Sequence, residues 1–293
     1  MEHKPTDNPD ATWTVGRVLA WTREEFQRRG VDNPRLDAEV LLAHALSTTR
    51  LKLYLELDKP LGPAELAAYR ALVKRRAARE PVSHVVGARE FWGRAFRVTA
   101  DTLAPRPETE TLVEEVLAWQ RARPAAPAPA VLDVGTGTGC LAITLALEIP
   151  GAVVTAVDVS AAALAVAQHN AEALHATVRL LQSDVVTALA PDDTFDVVVS
   201  NPPYVTESEW AAAEPEVRDH EPRLALVGSG ADGLGFHRRL LAEVFPRVRP
   251  GGLLLAEIGH QQEEAARALW SAAGQVDVVK DLERRDRAVR VRR

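Results

Sequence analysis

Sulfur is almost missing from this chain: 293 residues contain one cysteine, Cys140, and one methionine. A lone cysteine excludes an intramolecular disulfide and a cysteine-rich zinc site. Aromatic residues are scarce at 5%, and no uninterrupted apolar run approaches the roughly 18 residues of a membrane span, so no membrane partner is expected. The opening residues, MEHKPTDNPDATW, lack the apolar heart of a signal peptide, which predicts a cytoplasmic protein. Positive charge is not in excess: 35 Lys and Arg stand against 41 Asp and Glu, a formal net charge of −6. That balance disfavours a protein built to grip nucleic-acid phosphates, and no stable nucleic-acid binding is expected. The eight histidines are scattered, with no His-x-x-x-His pair beside an acid, so no metal site is predicted. What remains is a globular composition, 46% hydrophobic and 26% charged, at a length that suggests about two domains.

Residues 1–12 read as a loose polar arm. From Thr14 to about Ala78 the apolar spacing is helical. Val15, Val18, Leu19 and Phe26 share one face, and Gly30 follows as a left-handed cap. Asn33-Pro34 opens a second helix whose stripe is Leu36, Val40, Leu41 and Ala45. A third begins after Gly62-Pro63 and carries Leu66, Tyr69, Leu72 and Val73. The expectation is a small helical bundle over residues 1–85. Its basic run, Lys74, Arg75, Arg76 and Arg79, reads as a solvated helix end rather than a dock for an acidic partner. Residues 86–104 predict a β-hairpin turning at Gly93, with Phe91, Trp92, Phe96 and Val98 around it.

Residues 105–293 open with a helix from Thr109 to Gln120 and a Pro/Ala-rich stretch. Strands are then predicted at 130–134, 153–158, 177–181, 195–200, 252–258, 276–280 and 288–292. Helices at 139–148, 160–174, 234–247 and 261–273 fill most gaps. This alternation predicts an α/β fold: a Rossmann-like, seven-stranded, mostly parallel sheet with helices on both faces.

The segment VLDVGTGTGC, residues 131–140, places Gly135, Gly137 and Gly139 between an apolar strand and a helix. Glycines there allow a sharp turn and a close ligand approach to main-chain N–H groups. The spacing is G-x-G-x-G, not the dinucleotide G-x-G-x-x-G. Asp133, inside the strand, would repel a pyrophosphate and suits a cofactor carrying positive charge. Asp158 ends the next strand, 19 residues past Gly139, where an acid can accept from ribose hydroxyls. Cys140 reads as a small packing residue beneath the loop, not a nucleophile.

The strand FDVVVS runs into Asn201-Pro202-Pro203-Tyr204 at the expected carboxyl edge of the sheet. Two prolines stiffen this loop, Asn201 presents an acceptor and a donor in a fixed place, and Tyr204 offers an aromatic face. The combination suits a planar nitrogen bearing hydrogens, an amide or a base amine. The Asn201 side-chain oxygen and the Pro202 carbonyl can accept its two N–H hydrogens and aim the lone pair at an electrophilic methyl group.

With these residues in view, Gly135–Gly139 and Asp158 resemble the cofactor site of class I S-adenosylmethionine-dependent methyltransferases. Asn201–Tyr204 is similar to the motif of members that methylate planar amino groups. The stretches at 79–117 (with PRPETE at 105–110), 221–241 (EPRLALVGSGADGLGFHRRLL) and 250–262 (PGGLLLAEIGHQQ) narrow the resemblance to peptide-chain release factor glutamine methyltransferases. It implies a helical N-terminal domain that grips a class 1 release factor. It also implies a catalytic domain that methylates the glutamine amide of a Gly-Gly-Gln tripeptide.

By that resemblance Gly135, Thr136, Gly137, Thr138 and Gly139 line the cofactor's methionine end, and Asp158 holds its ribose. Asp184 and Val185 lie by the adenine. Asn201, Pro202, Pro203 and Tyr204 hold the glutamine, with Asn201 also beside the cofactor, and Leu103 forms an apolar wall. Two positions depart from the pattern: Val185 stands where a larger or aromatic residue is common, and Arg284 about where a glycine is expected. Alternatives sharing the motif are a glutamine methyltransferase of a large-subunit ribosomal protein and an adenine methyltransferase of nucleic acid. The charge and the small helical domain disfavour the latter, PRPETE the former. Intact motif residues disfavour a cofactor-free binding module.

Overall fold

A computed structural model describes residues 12–293; all but the last residue of the expected polar arm lies outside them. The chain divides into two compact units at Val86 and Gly87.

The first unit is helical: α1 (Val15–Arg28), α2 (Pro34–Ala45), α3 (Arg50–Leu55), α4 (Pro63–Ala77) and α5 (Val82–Val86). Thr14 caps α1 by accepting from the Arg17 N–H, while Pro34 opens α2 without a side-chain bond from Asn33. The α3 and α5 helices were not legible, because five or six residues are too few to display a helical period. Val15, Phe26, Leu41 and Leu42 are fully buried in this unit's core. Leu36, expected on the apolar stripe of α2, is instead 42% exposed. The buried face of α2 carries Asp37 and Glu39, and each has cationic partners. Asp37 takes Arg76 at 2.7 Å; Glu39 takes Arg35 at 2.9 Å and Arg50 at 2.7 Å. Buried carboxylates persist only when paired in this way. Of the basic run, Arg76 is buried, while Lys74 and Arg75 are exposed as expected of a solvated helix end; Arg75 pairs with Glu80, and Arg79, just past α4, donates to the carbonyls of Arg29 and Gly30.

The second unit opens with the hairpin β1 (Ala88–Phe91) and β2 (Arg94–Arg97), joined by Trp92-Gly93. Phe91 and Phe96 are buried edge-to-face, 6.0 Å between centroids. Then come α6 (Glu110–Arg121), β3 (Ala130–Val134), α7 (Cys140–Glu148), β4 (Val153–Asp158), α8 (Ala161–Ala173), β5 (Arg179–Gln182) and β6 (Phe195–Ser200). Three short helices follow, α9 (Glu207–Ala212), α10 (Pro215–Arg218) and α11 (Arg223–Leu226), then α12 (Gly235–Arg239). The chain closes with β7 (Val248–Glu257), α13 (Glu263–Trp270), β8 (Gln275–Lys280) and β9 (Asp286–Arg292). The single helix expected over 234–247 breaks after α12 into a π-turn and a 3₁₀ turn, where Pro246 cannot donate to an α-helical ladder.

Seven strands form one sheet in the order β5-β4-β3-β6-β7-β9-β8. All neighbours are parallel up to β7, and β9 alone runs against them. Parallel strands covered on both faces need apolar side chains on both, and Val131, Leu132, Val197, Val198 and Val199 are fully buried. Strand order reverses between β3 and β6, and the crevice beyond their carboxyl ends is where such sheets bind ligands. Ser200 ties the two strand ends together by donating to the Val134 carbonyl at 2.7 Å.

Candidate active site

The glycine loop is held from two sides. The N–H groups of Gly135 and Thr136 donate to the Val157 carbonyl at 2.9 and 3.0 Å. Asn170 of α8 is buried, accepts from Arg97 N–H at 2.8 Å, and donates to the carbonyls of Arg97 and Thr138 at 3.1 and 2.9 Å. One amide therefore fixes hairpin and loop together. Gly139 leads into α7 at φ 80°, and a Cβ there would lie 2.8 Å from Ile143 and 3.2 Å from Ala167. It is a packing position under the loop and does not line the cavity.

That cavity has a volume of about 450 Å³. Its walls bring together Leu103, Gly135 through Thr138, Asp158, Asp184, Val185, Asn201 and Pro203. Pro202 is buried and does not line it, and the Tyr204 side chain is anchored elsewhere, as described below. Asp158 Oδ2 accepts the Gly137 N–H and Oδ1 the Ser160 N–H, both at 2.9 Å. Each carboxylate oxygen keeps a further lone pair for a diol. Val185 is buried at φ 54°, a backbone region that β-branched residues rarely adopt. Its neighbour Asp184 accepts from Arg239 at 2.6 Å, and Arg239 also lines the cavity.

Asp133 tests whether these walls fit a cationic cofactor. It is buried in the cavity wall; Oδ2 accepts from Thr136 at 2.6 Å and from the Ala142 N–H at 3.3 Å, while Oδ1 is buried with no partner. Burial pushes its carboxyl up to about 7, against the pull of the Thr136 and Ala142 bonds. An orphaned buried carboxylate oxygen, a second carboxylate at the strand end and a predominantly apolar lining suit a ligand with positive charge and a ribose diol. Cys140 is half-buried and its thiol is pushed up to about 12, chiefly by burial, so it is no thiolate nucleophile.

Behind Asn201 lies a buried polar chain. Asn201 Nδ2 donates to Thr109 Oγ1 at 3.1 Å, and Thr109 Oγ1 donates to Glu257 Oε2 at 2.7 Å. Tyr204 donates its hydroxyl to Glu257 Oε1 at 2.9 Å, and the Arg287 guanidinium stands 4.0 Å away. Burial pushes the Glu257 carboxyl up, while Thr109, Tyr204 and Arg287 pull it back. Burial and the Glu257 charge hold the Tyr204 phenol well above its ordinary range. The Glu257 main chain is fixed too, because buried His237 meets its carbonyl through Nε2 at 2.9 Å. His237 Nδ1 accepts from Trp270 at 3.2 Å, and burial holds the ring down at about 4. This neutral, fully bonded histidine is a core residue. Gly233 completes the support: a Cβ there would fall 2.2 Å from the Tyr204 carbonyl, so only glycine permits that approach.

Sequence reasoning did not single out Thr109, Glu257, Arg287 or Arg239. Thr109 and Glu257 lie within PRPETE and AEIGHQQ, segments that carried the resemblance, but their meeting 148 positions apart is a tertiary fact.

Fold and cavity together define a class I methyltransferase. The hMettl16 catalytic domain, solved in complex with MAT2A 3′UTR hairpin 6, shares the fold at a TM-score of 0.56 and 17% identity, over 75% of this chain and 81% of that one. Residues 17–87 match the PrmC N-terminal domain and residues 112–224 the Methyltransferase small domain. The release factor glutamine methyltransferase of Geobacter sulfurreducens is 45% identical over 93% of both chains. That of Cereibacter sphaeroides is 48% identical over 90% of this chain and 92% of its own. The chain belongs to the release factor glutamine methyltransferase family.

Proposed function

We infer that this enzyme methylates the glutamine side-chain amide of the Gly-Gly-Gln motif in class 1 peptide-chain release factors, using S-adenosylmethionine. One observation carries the reading: a single cavity joins the glycine loop, Asp158 and Asn201. Gly135 through Thr138 would hold the methionine end of the cofactor, with Gly139 packed beneath them, Asp158 the ribose, and Asp184 with Val185 the adenine side. Asp133 supplies the negative charge that a sulfonium and an ammonium require. When bound, the cofactor supplies an electrophilic methyl group.

The protein's own task is to make a poor nucleophile attack. An amide nitrogen is weak because its lone pair is delocalised. The Asn201 Oδ1 and the Pro202 carbonyl accept its two N–H hydrogens, turn the lone pair toward the cavity, and stabilise positive charge as it builds on nitrogen. The proton leaves after transfer, so no strong base is needed beforehand, and neither Cys140 nor His237 is suited to be one. Leu103 walls the substrate side. The helical unit, which matches the PrmC N-terminal domain over residues 17–87, would grip the release factor. Among the described residues no helix is long and apolar enough to cross a membrane, which is consistent with action in the cytoplasm.

Asn201→Ala tests this directly. The rate of methyl transfer to a purified release factor should fall about a hundredfold to a thousandfold, the cost of one lost transition-state contact. Calorimetry should show cofactor binding nearly intact. An unchanged rate would remove Asn201 from the mechanism.

A further inference from the structure

We propose that Thr109 and Glu257 are positioning residues that fix the Asn201 amide in the one orientation the reaction can use. The proposal rests on the functional reading above and adds to it how the acceptor is aimed. An asparagine amide is nearly symmetrical in shape, and turning it over exchanges an acceptor for a pair of donors. Toward a substrate amide that itself donates N–H, the inverted form would set donor against donor.

The chain of bonds prevents this. The Glu257 carboxylate is acceptor-only and already takes the Tyr204 hydroxyl on Oε1. The single Thr109 proton is therefore drawn to Oε2, at 2.7 Å. With its proton committed, Thr109 Oγ1 can only accept from Asn201, and at 3.1 Å it faces Nδ2. The Asn201 Oδ1 is left for the substrate. Thr109, Asn201 and Glu257 come from the segment before α6, the end of β6 and the end of β7, and both Thr109 and Glu257 are buried. The Thr109–Glu257 bond is buried, so water does not compete for the Thr109 proton and the polarity set at Glu257 reaches Asn201. Arg287 at 4.0 Å keeps a positive charge beside the carboxylate.

The experiment is a steady-state assay with purified release factor, comparing wild type, Thr109→Val, Thr109→Ser and Glu257→Gln, each alone and combined with Asn201→Ala. Thr109→Val keeps the shape and removes the hydroxyl. Its kcat should fall about tenfold to a hundredfold, with the KM for release factor and the cofactor Kd within about threefold of wild type. Thr109→Ser restores the hydroxyl and should recover most of the rate. Glu257→Gln can offer Thr109 a donor in place of an acceptor and should lose rate in the same direction. In an Asn201→Ala background neither Thr109→Val nor Glu257→Gln should cost anything further, because both act through Asn201. A Thr109→Val enzyme at the wild-type rate overturns the proposal, as does Thr109→Ser failing with it. Losses that multiply with Asn201→Ala overturn it as well, since a general structural role would multiply. A wild-type enzyme inactive on release factor would instead defeat the functional reading, and the same assay reads that separately.

Discussion

The two ends of the cavity, proposed to take the cofactor and the substrate amide, are built from different materials. The cofactor end is mostly main chain: glycines, two strand-end carboxylates, and N–H groups fastened to Val157 and Asp158. It is assembled from residues close in sequence, 133–138 and 158–160, at the ends of adjacent strands. The amide end is mostly side chain: Asn201, Thr109, Glu257, Tyr204 and Arg287 converge from positions up to 178 apart. A backbone site tolerates little change of side-chain volume under it. A side-chain site depends on each hydrogen bond running in the right direction.

Breaking the cofactor end should therefore show first as lost stability. Gly139→Ala places a Cβ against Ile143 and Ala167 at a positive φ. It should lower unfolding free energy by about 2–4 kcal/mol, combining left-handed strain with overpacking. Urea unfolding measures this, and a wild-type midpoint would mean that the loop is not packed as described.

A smaller effect separates the two ends by pH. Asp133 is neutral below its value of about 7 and charged above it. A cationic cofactor binds the charged form, so binding releases a proton and affinity rises with pH. The dissociation constant should tighten about tenfold from pH 6 to pH 8, with proton release visible by calorimetry in two buffers. Asp133→Asn should flatten that dependence. A flat wild-type profile would remove Asp133 as the counter-charge.

The smallest expected effect lies outside both ends. Arg284 adopts φ 62°, so the position where glycine was expected does take the left-handed conformation that glycine prefers. Arg284→Gly should relieve this strain and stabilise the protein by about 0.5–1 kcal/mol with methyl transfer unchanged. A loss of activity would tie this turn to the site.

The same contrast explains what could be read from the sequence. Strands announce themselves by continuous apolar runs, and six of the seven begin within two residues of the predicted start. The exception is β7, which begins at Val248 rather than 252, because Pro250 and two glycines carry no strand signal. Asp133, Asp158 and Asn201 were legible because local spacing places them at strand ends. Thr109 and Glu257 were not, because a hydroxyl and a carboxylate far apart in sequence gain meaning only when the fold sets them 2.7 Å apart. Asp37 and Glu39 were hidden for a related reason: charged residues on a buried face contradict the apolar stripe until their arginine partners are in place.

The central claim is that this side-chain end receives the glutamine amide of a release factor. Wild-type enzyme with isotopically labelled cofactor can be offered a release factor, a large-subunit ribosomal protein and DNA in one reaction, with the methyl group then located by mass mapping. The predicted result is one methyl on the glutamine of the Gly-Gly-Gln motif and none on the other two. Label on the ribosomal protein or on a base, with the release factor unmodified, would contradict it.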